Sequence, residues 1–440
     1  MLAGLFAVVL LAENPDPPAA QYVVVISIDG MGASWYISPP AGLRTPNLRR
    51  LMAEGSYAEG VIGVYPSVTY PSHTTLVTGR MPAEHGIYSN LSSREAGKNS
   101  KDWFWFAKLI KVPTLWDLAR ANRLTTATVF WPASTGGRMN WDIPEIWDPA
   151  VGPVGGPLYV AKYATPGLLL EAALELGPPK PNSDDDVTRT ELAAFLLKRH
   201  KPNLLLLHIA GLDEAEHQHG PQSPQAARTL EASDERIGDI LAAIAQAGLE
   251  GSTDVFIVSD HGFLPVQRHI SPNVLLATAG LLDLDAKGSI IGGKIATVAN
   301  GGSFFIYWPN GQDFRREVDA ALKPLRAQGV LWGVLSPEAL TDLGAEPAAR
   351  LALEATSGAA FDSAATGEVV RSLPATVGTH GYLPFRAGLE ASLIAYGPHI
   401  KKGSWLRRIP MTAIGPTILK VLGIEDPHFG SERPLVEILK

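Results

Sequence analysis

Apolar and polar residues alternate in blocks along this chain, and the blocks have two distinct periods. "QYVVVISIDG" (Gln21 to Gly30), "NLLLLHIAGLD", "TDVFIVSDHG" and "ASLIAYG" are short runs that are apolar at nearly every position. Such runs predict strands buried on both faces. Between them lie longer stretches with helical spacing. "TPNLRRLMAEG" has a Thr, then Pro at the first turn, and a closing Gly, which predicts a helix from Thr45 to Glu54. "VPTLWDLARANR", "VTRTELAAFLLKRH", "SPQAARTLEASDERIGDILAAIAQAG" and "PMTAIGPTILKVLG" predict four more, and "TTATVFW" a further strand.

Strands alternating with helices predict an α/β fold: a mainly parallel central sheet flanked by helices on both faces. Lys287 to Gly378 breaks the alternation with short runs such as "GGSFFIYW" and an amphipathic stretch from Phe314 to Gln328. We expect a smaller α+β subdomain there, inserted into a single catalytic domain whose core comprises residues 21–286 and 379–440.

Composition narrows the function classes. With 440 residues, 46% hydrophobic, the chain can bury a large core. Its net charge of −7 and lack of a basic stripe argue against a nucleic-acid-binding surface. Absence of cysteine removes disulfides, thiolate metal sites and cysteine nucleophiles. Leu2 to Ala12 is an apolar run of signal-peptide length, too short to span a bilayer, followed by a Pro-rich segment. No Lys or Arg precedes it. The expectation is residues 1–20 as signal peptide and linker, and an exported protein, periplasmic or extracellular, without a transmembrane anchor.

The chemistry gathers where strands end. Asp29 closes the first strand, Asp213 and His217 follow "LLLLHIAGL", Asp260 and His261 close "VFIVSDHG", and His380 lies in "VGTHGY". Ligand sites of α/β sheets collect at the carboxyl ends of strands. Three Asp and three His without sulfur suit zinc or a similar transition metal rather than calcium. Six ligands exceed what one tetrahedral ion with an open position takes, so they divide into two sites of three. Paired metals about 3.5–4 Å apart serve in-line displacement at phosphorus. In "YPSVTYPSHTTLVTG", Thr69 then has a role, because metal coordination turns a weak hydroxyl nucleophile into a strong one.

The motifs "ISIDGM", "YPSVTYPSHTTLVTGRMPAEHGIYSN", "GLDEAEHQHGP", "VSDHGF" and "THGY", in this order, resemble the alkaline phosphatase superfamily. The nucleotide pyrophosphatase/phosphodiesterase branch is the most similar. The resemblance implies that Thr69 is a nucleophile that becomes phosphothreonine. It implies two Zn2+ ions, one held by Asp29, Asp260 and His261 and one by Asp213, His217 and His380. It implies that Asn90 donates its amide to a phosphoryl oxygen, and that the substrate is a small phosphodiester or nucleotide. Tyr70 matches a family aromatic that stacks on the substrate, and His208 stands where members often carry a substrate-flanking Tyr. Ser72 and Glu216 depart from the family's usual Asn and Gly.

The same superfamily contains phosphomonoesterases, which add an Arg or a Lys-x-Arg pair. No such pair lies between Asn90 and Asp213; "FWPASTGGRMNWD" stands there instead, with Arg138 as the one cation that could fold back. Diester cleavage is therefore favoured over monoester cleavage. A phosphonate hydrolase and a non-catalytic member remain as minor alternatives. "WFWF" at Trp103 to Phe106 is expected to pack as a wall of the core, with a partner-facing patch as the alternative.

Overall fold

The computed structural model describes residues 21–92, 103–148, 152, 157–177 and 186–440. The expected signal peptide lies outside these residues.

An eight-stranded sheet forms the centre. Its strands are β1 (Tyr22–Ile28), β2 (Ser56–Ile62), β3 (Thr126–Val129), β4 (Trp141–Ile143), β5 (Leu204–Ile209), β6 (Thr253–Val258), β7 (Leu393–Tyr396) and β8 (Ser404–Pro410). The spatial order is β8-β2-β7-β6-β1-β5-β3-β4. β7 runs antiparallel to both its neighbours, β2 and β6. The other pairings are parallel.

The continuous apolar runs are explained by burial on two sides. From β1, Val24, Ile26 and Ile28 face a cluster containing Leu51, Leu196 and Ile237. Val23 and Val25 face the opposite cluster with Leu76, Trp116 and Ile414. Helices Pro46–Glu54, Asp186–Arg199 and Pro224–Gln246 cover the first face. Helices Thr69–Thr78, Leu115–Ala121 and Ile414–Val421 cover the second. Each fully buried aliphatic side chain stabilises the fold by about 1.5–3 kcal/mol.

Three strands escape the sequence pattern. β4 has three residues, and β8 carries Arg407 and Arg408 on the open edge of the sheet. Edge strands are solvated on one side and tolerate charge, so they carry weak signals. β2 lies one strand in from that edge and reads SYAEGVI, with Glu59 exposed and Gly60 interrupting the apolar run.

Register decides where the strand ends fall. Ser27 of β1 pairs with His208 of β5 and with Val258 of β6. The residues just past all three strands therefore emerge at one level: Asp29, the turn leading to Asp213, and Asp260 with His261.

Past β6 the chain builds smaller sheets. Leu264–Ile270 pairs with Gly358–Phe361 and Val370–Thr379. A four-stranded antiparallel sheet runs in the order Ala296–Asn300, Ser303–Tyr307, Leu351–Ala355, Leu331–Leu335. Phe304, Ile306 and Leu353 of this sheet pack on Val318 and Leu322 of helix Arg315–Ala327. The strand Val370–Thr379 delivers His380 to the central sheet's carboxyl edge.

Candidate metal centre

Asp260 is anchored from behind. Its Oδ1 accepts from Gly30 N (3.1 Å) and His261 N (3.0 Å), tying the end of β6 to the end of β1. Gly30 is required here: its φ is +75°, and a Cβ would lie 2.7 Å from the Phe263 ring. With Oδ1 held, Asp260 Oδ2 lies 3.1 Å from His261 Nε2. Asp29 Oδ1 lies 3.5 Å from the same nitrogen.

Helix Gly211–His219 begins just past β5 and brings Asp213 and His217 onto one face, Oδ2 to Nε2 at 3.5 Å. His380 Nε2 lies 3.7 Å from Asp213 Oδ1 and 3.2 Å from His217 Nε2. The outer nitrogens of both rings face backbone carbonyls: His217 Nδ1 is 3.1 Å from Gly378 O, and His380 Nδ1 is 3.0 Å from Ser67 O. A carbonyl only accepts, so each Nδ1 carries the proton and donates. With Nδ1 donating, Nε2 of such a ring in its neutral form is left as a bare lone pair. Two lone pairs aimed at each other repel, unless a cation lies between them.

The carboxylates make the same demand. Asp29 Oδ1, Asp213 Oδ1, Asp260 Oδ2 and both nitrogens of His261 are buried without a hydrogen-bond partner. Burial, with repulsion from Asp213 next, drives the Asp29 carboxyl well above its ordinary range. Burial and then Asp29 do the same to Asp260. Burial holds His261 well below the usual imidazole value and His380 down to about 3. Buried acids that repel and imidazoles that resist protonation are what divalent cations neutralise. The donors therefore fit zinc by count, type and direction. Ligand atoms of Asp213, His217 and His380 lie within 4.8 Å of one another, and so do those of Asp29, Asp213 and His261. Asp213 thus stands between the two groups.

Thr69 is the first residue of helix Thr69–Thr78 and is 8% exposed. Its carbonyl oxygen is 2.9 Å from His73 Nδ1, and the same nitrogen is 3.6 Å from Asp260 Oδ2. His73 Nε2 meets Ser27 Oγ at 2.8 Å. His73 thereby pins the helix start against the ends of β1 and β6. Asn90 Oδ1 accepts from Tyr70 N at 3.0 Å. That bond engages the amide oxygen, and the NH2 is the donor end of the same amide.

Residues 23–383 match the family model described as type I phosphodiesterase/nucleotide pyrophosphatase. The chain belongs to this family. Venom phosphodiesterase 2 of Crotalus adamanteus is 25% identical over 248 residues, covering 54% of this chain and 26% of the venom protein. Ectonucleotide pyrophosphatase/phosphodiesterase family member 1 of Rattus norvegicus is 26% identical over 259 residues, covering 57% of this chain and 24% of that protein. The match thus spans about a quarter of these relatives' own length. Human ectonucleotide pyrophosphatase/phosphodiesterase 5 superposes with a TM-score of 0.68 at 20% identity, covering 96% of this chain and all of that one. An inactive murine form of the same protein, solved in complex with AMP, gives 0.69 at 19% identity over 96% of this chain. The fold is alkaline-phosphatase-like.

The two side chains expected at the substrate, Tyr70 and His208, are enclosed by protein. Tyr70 is fully buried and His208 is 1% exposed. Tyr70 OH donates to Glu145 Oε1 (3.1 Å) and its ring abuts Trp103 (centroids 5.3 Å). His208 lies behind Asp29. "WFWF" is core wall: Phe104 and Trp105 are buried, and Trp103 packs on Trp147. Arg138 is exposed; its carbonyl accepts from Arg120, and the neighbouring Asn140 N pairs with Thr126 O at the start of β3. That is the sheet edge opposite the metal centre. Sequence patterns gave no notice of Glu145 or Arg189. His73 was visible within the nucleophile motif, but only contacts reveal its bridging position.

Proposed function

We propose that this chain hydrolyses phosphodiester or phosphoanhydride bonds of nucleotide-type substrates, using Thr69 as nucleophile. The observation that carries this is the convergence of unpartnered Asp and His donors beside a helix that starts at Thr69. Asp29, Asp260 and His261 would hold one zinc; Asp213, His217 and His380 would hold the other. Bound zinc supplies Lewis-acid charge and lowers the pKa of a coordinated hydroxyl.

The chain's own residues do the rest. Thr69 Oγ attacks phosphorus, the bond to the leaving oxygen breaks in line, and phosphothreonine forms with release of the first product. Water then attacks the phosphothreonine, releases the phosphate ester and restores the Thr69 hydroxyl. Asn90, held through Oδ1, presents its NH2 to a phosphoryl oxygen, a fixed donor that needs no reorganisation.

A diester carries one negative charge and a monoester two. Arg138 is on the far edge, and Arg189 lies against Glu145 (3.6 Å) beneath the site. Among the described residues, neither serves the second charge, which favours the diester. AMP bound to the murine neighbour supports a nucleotide moiety. The Leu2–Ala12 apolar run, together with venom relatives, supports export.

A rate comparison tests the reading. Zinc-loaded protein is given bis-p-nitrophenyl phosphate and p-nitrophenyl phosphate, with Thr69→Ala as the blank. We expect kcat/KM for the diester to be higher by ~100-fold or more, near 2.7 kcal/mol of transition-state preference. A monoester preference would overturn the diesterase reading.

A further inference from the structure

Behind Asp29 lies a closed polar chain that the ligand assignment does not use. His208, one residue before the end of β5, lies opposite Ser27 of β1. Its Nε2 lies within hydrogen-bonding distance of Asp29 Oδ2, at 3.1 Å. Its Nδ1 lies 2.9 Å from Glu145 Oε2 and 3.1 Å from Phe130 O. Arg189 Nη1 donates to His208 O at 3.1 Å, and its guanidinium covers the Phe130 ring at 4.6 Å. Glu145 Oε1 accepts from Tyr70 OH, next in sequence to Thr69. His208, Glu145 and Arg189 are all buried.

We propose that His208, braced by Glu145, is a positioning residue that presents Asp29 to its metal through one oxygen. With Oδ2 engaged by His208, Asp29 has only Oδ1 left, and that oxygen is the buried, partnerless one facing His261. A carboxylate freed of this bond rotates about its terminal torsion, which is broad. It then loses the orientation that ligand geometry requires. Glu145 reaches in the other direction to Tyr70, whose N–H holds Asn90. One buried acid therefore braces the metal ligand on one side and the nucleophile's helix on the other. His208 is thereby reassigned from flanking the substrate to supporting Asp29.

The inference rests on the two-metal reading above, and the test separates the two. Purified chain is stripped with chelator and reloaded with zinc. Zinc per chain is measured by elemental analysis, and affinities by competition with a chromogenic chelator. We expect two zinc ions on the wild type. His208→Ala is expected to weaken one of them by about 10- to 100-fold and leave the other unchanged. His208→Gln, whose Nε2 reaches as far as the imidazole Nε2, is expected to restore most of that loss. His208→Asn, which reaches only as far as Nδ1, is not. In a His380→Ala background, where the Asp29 site alone binds, His208→Ala should weaken the remaining ion by the same factor. Glu145→Gln keeps His208 in place and should give a smaller loss at the same site. It also supplies the readout should the Ala variant fail to fold. Wild-type affinities at both sites in the His208 and Glu145 variants, or equal behaviour of Gln and Asn at position 208, would overturn the inference. Fewer than two zinc ions on the wild type would instead overturn the two-metal reading.

Discussion

His261 and His380 stack face to face, their ring centroids 3.7 Å apart and their planes 11° from parallel. One leaves β6; the other arrives from Val370–Thr379, more than a hundred residues later. In the proposed division they belong to different ligand sets, so this contact would bring the sets together. Removing the His380 ring takes away one ligand and the stacking partner of another. His380→Ala is expected to drop bound zinc from two ions to one, measured by elemental analysis. Unchanged metal content would count against the division into two sites of three.

The link from Thr69 to Asp260 runs through its backbone carbonyl and His73, which a change of the Thr69 side chain leaves in place. Thr69→Ala should reduce diester turnover to the uncatalysed rate while both metals stay bound. Residual turnover at wild-type rates would remove Thr69 as nucleophile.

Asn90 is oriented by Tyr70 N, which leaves its NH2 as a fixed donor. Loss of one such donor typically costs about 10²- to 10³-fold in kcat. Asn90→Ala is expected to lower kcat within that range with little change in KM. A rise in KM at constant kcat would mean that Asn90 binds substrate and transition state equally.

Asp142 offers a pH test away from the metal ligands. Burial raises its carboxyl from 3.8 to about 7, against hydrogen bonds from Thr128, Ser134 and the Gly136 N–H. The folded state therefore prefers the protonated acid. This contribution is complete below about pH 4 and is lost as pH rises through 7. Asp142→Asn has no such proton to lose. Its stability relative to wild type should rise by at least about 1 kcal/mol between pH 5 and pH 8, since a tenfold difference in proton affinity between the folded and unfolded states is worth about 1.4 kcal/mol. Denaturant melts at the two pH values measure this, and parallel profiles would refute it.

Much of the ligand set is legible in the chain because two-sided burial writes continuous apolar runs, and the polar residues that end those runs stand out. Asp29, Asp260 and His261 are of this kind. Asp213 and His217 are legible as a helical i, i+4 pair. Strands β2, β4 and β8, at or next to the sheet edges, are not legible, since a half-solvated strand need not be apolar. The direction of β7 is also hidden: "ASLIAYG" is as apolar as the parallel strands β1 and β6, and only the pairing with β6 and β2 shows that it runs antiparallel.

Local pattern thus suffices for the element types, the α/β class and the chemical nature of the donors. It does not assign partners to polar side chains. His217, His380 and His208 are all singled out in the sequence, but the sequence does not show which atoms each ring meets. The Nδ1 atoms of the first two face the carbonyls of Gly378 and Ser67, which turns both Nε2 atoms toward Asp213 and each other. The carboxylates of Asp29 and Glu145 enclose the third behind the site. Each of those partners comes from a distant segment, in a register set by packing of the whole sheet. The role of a buried polar group is fixed by the hydrogen-bond partners that folding gives it.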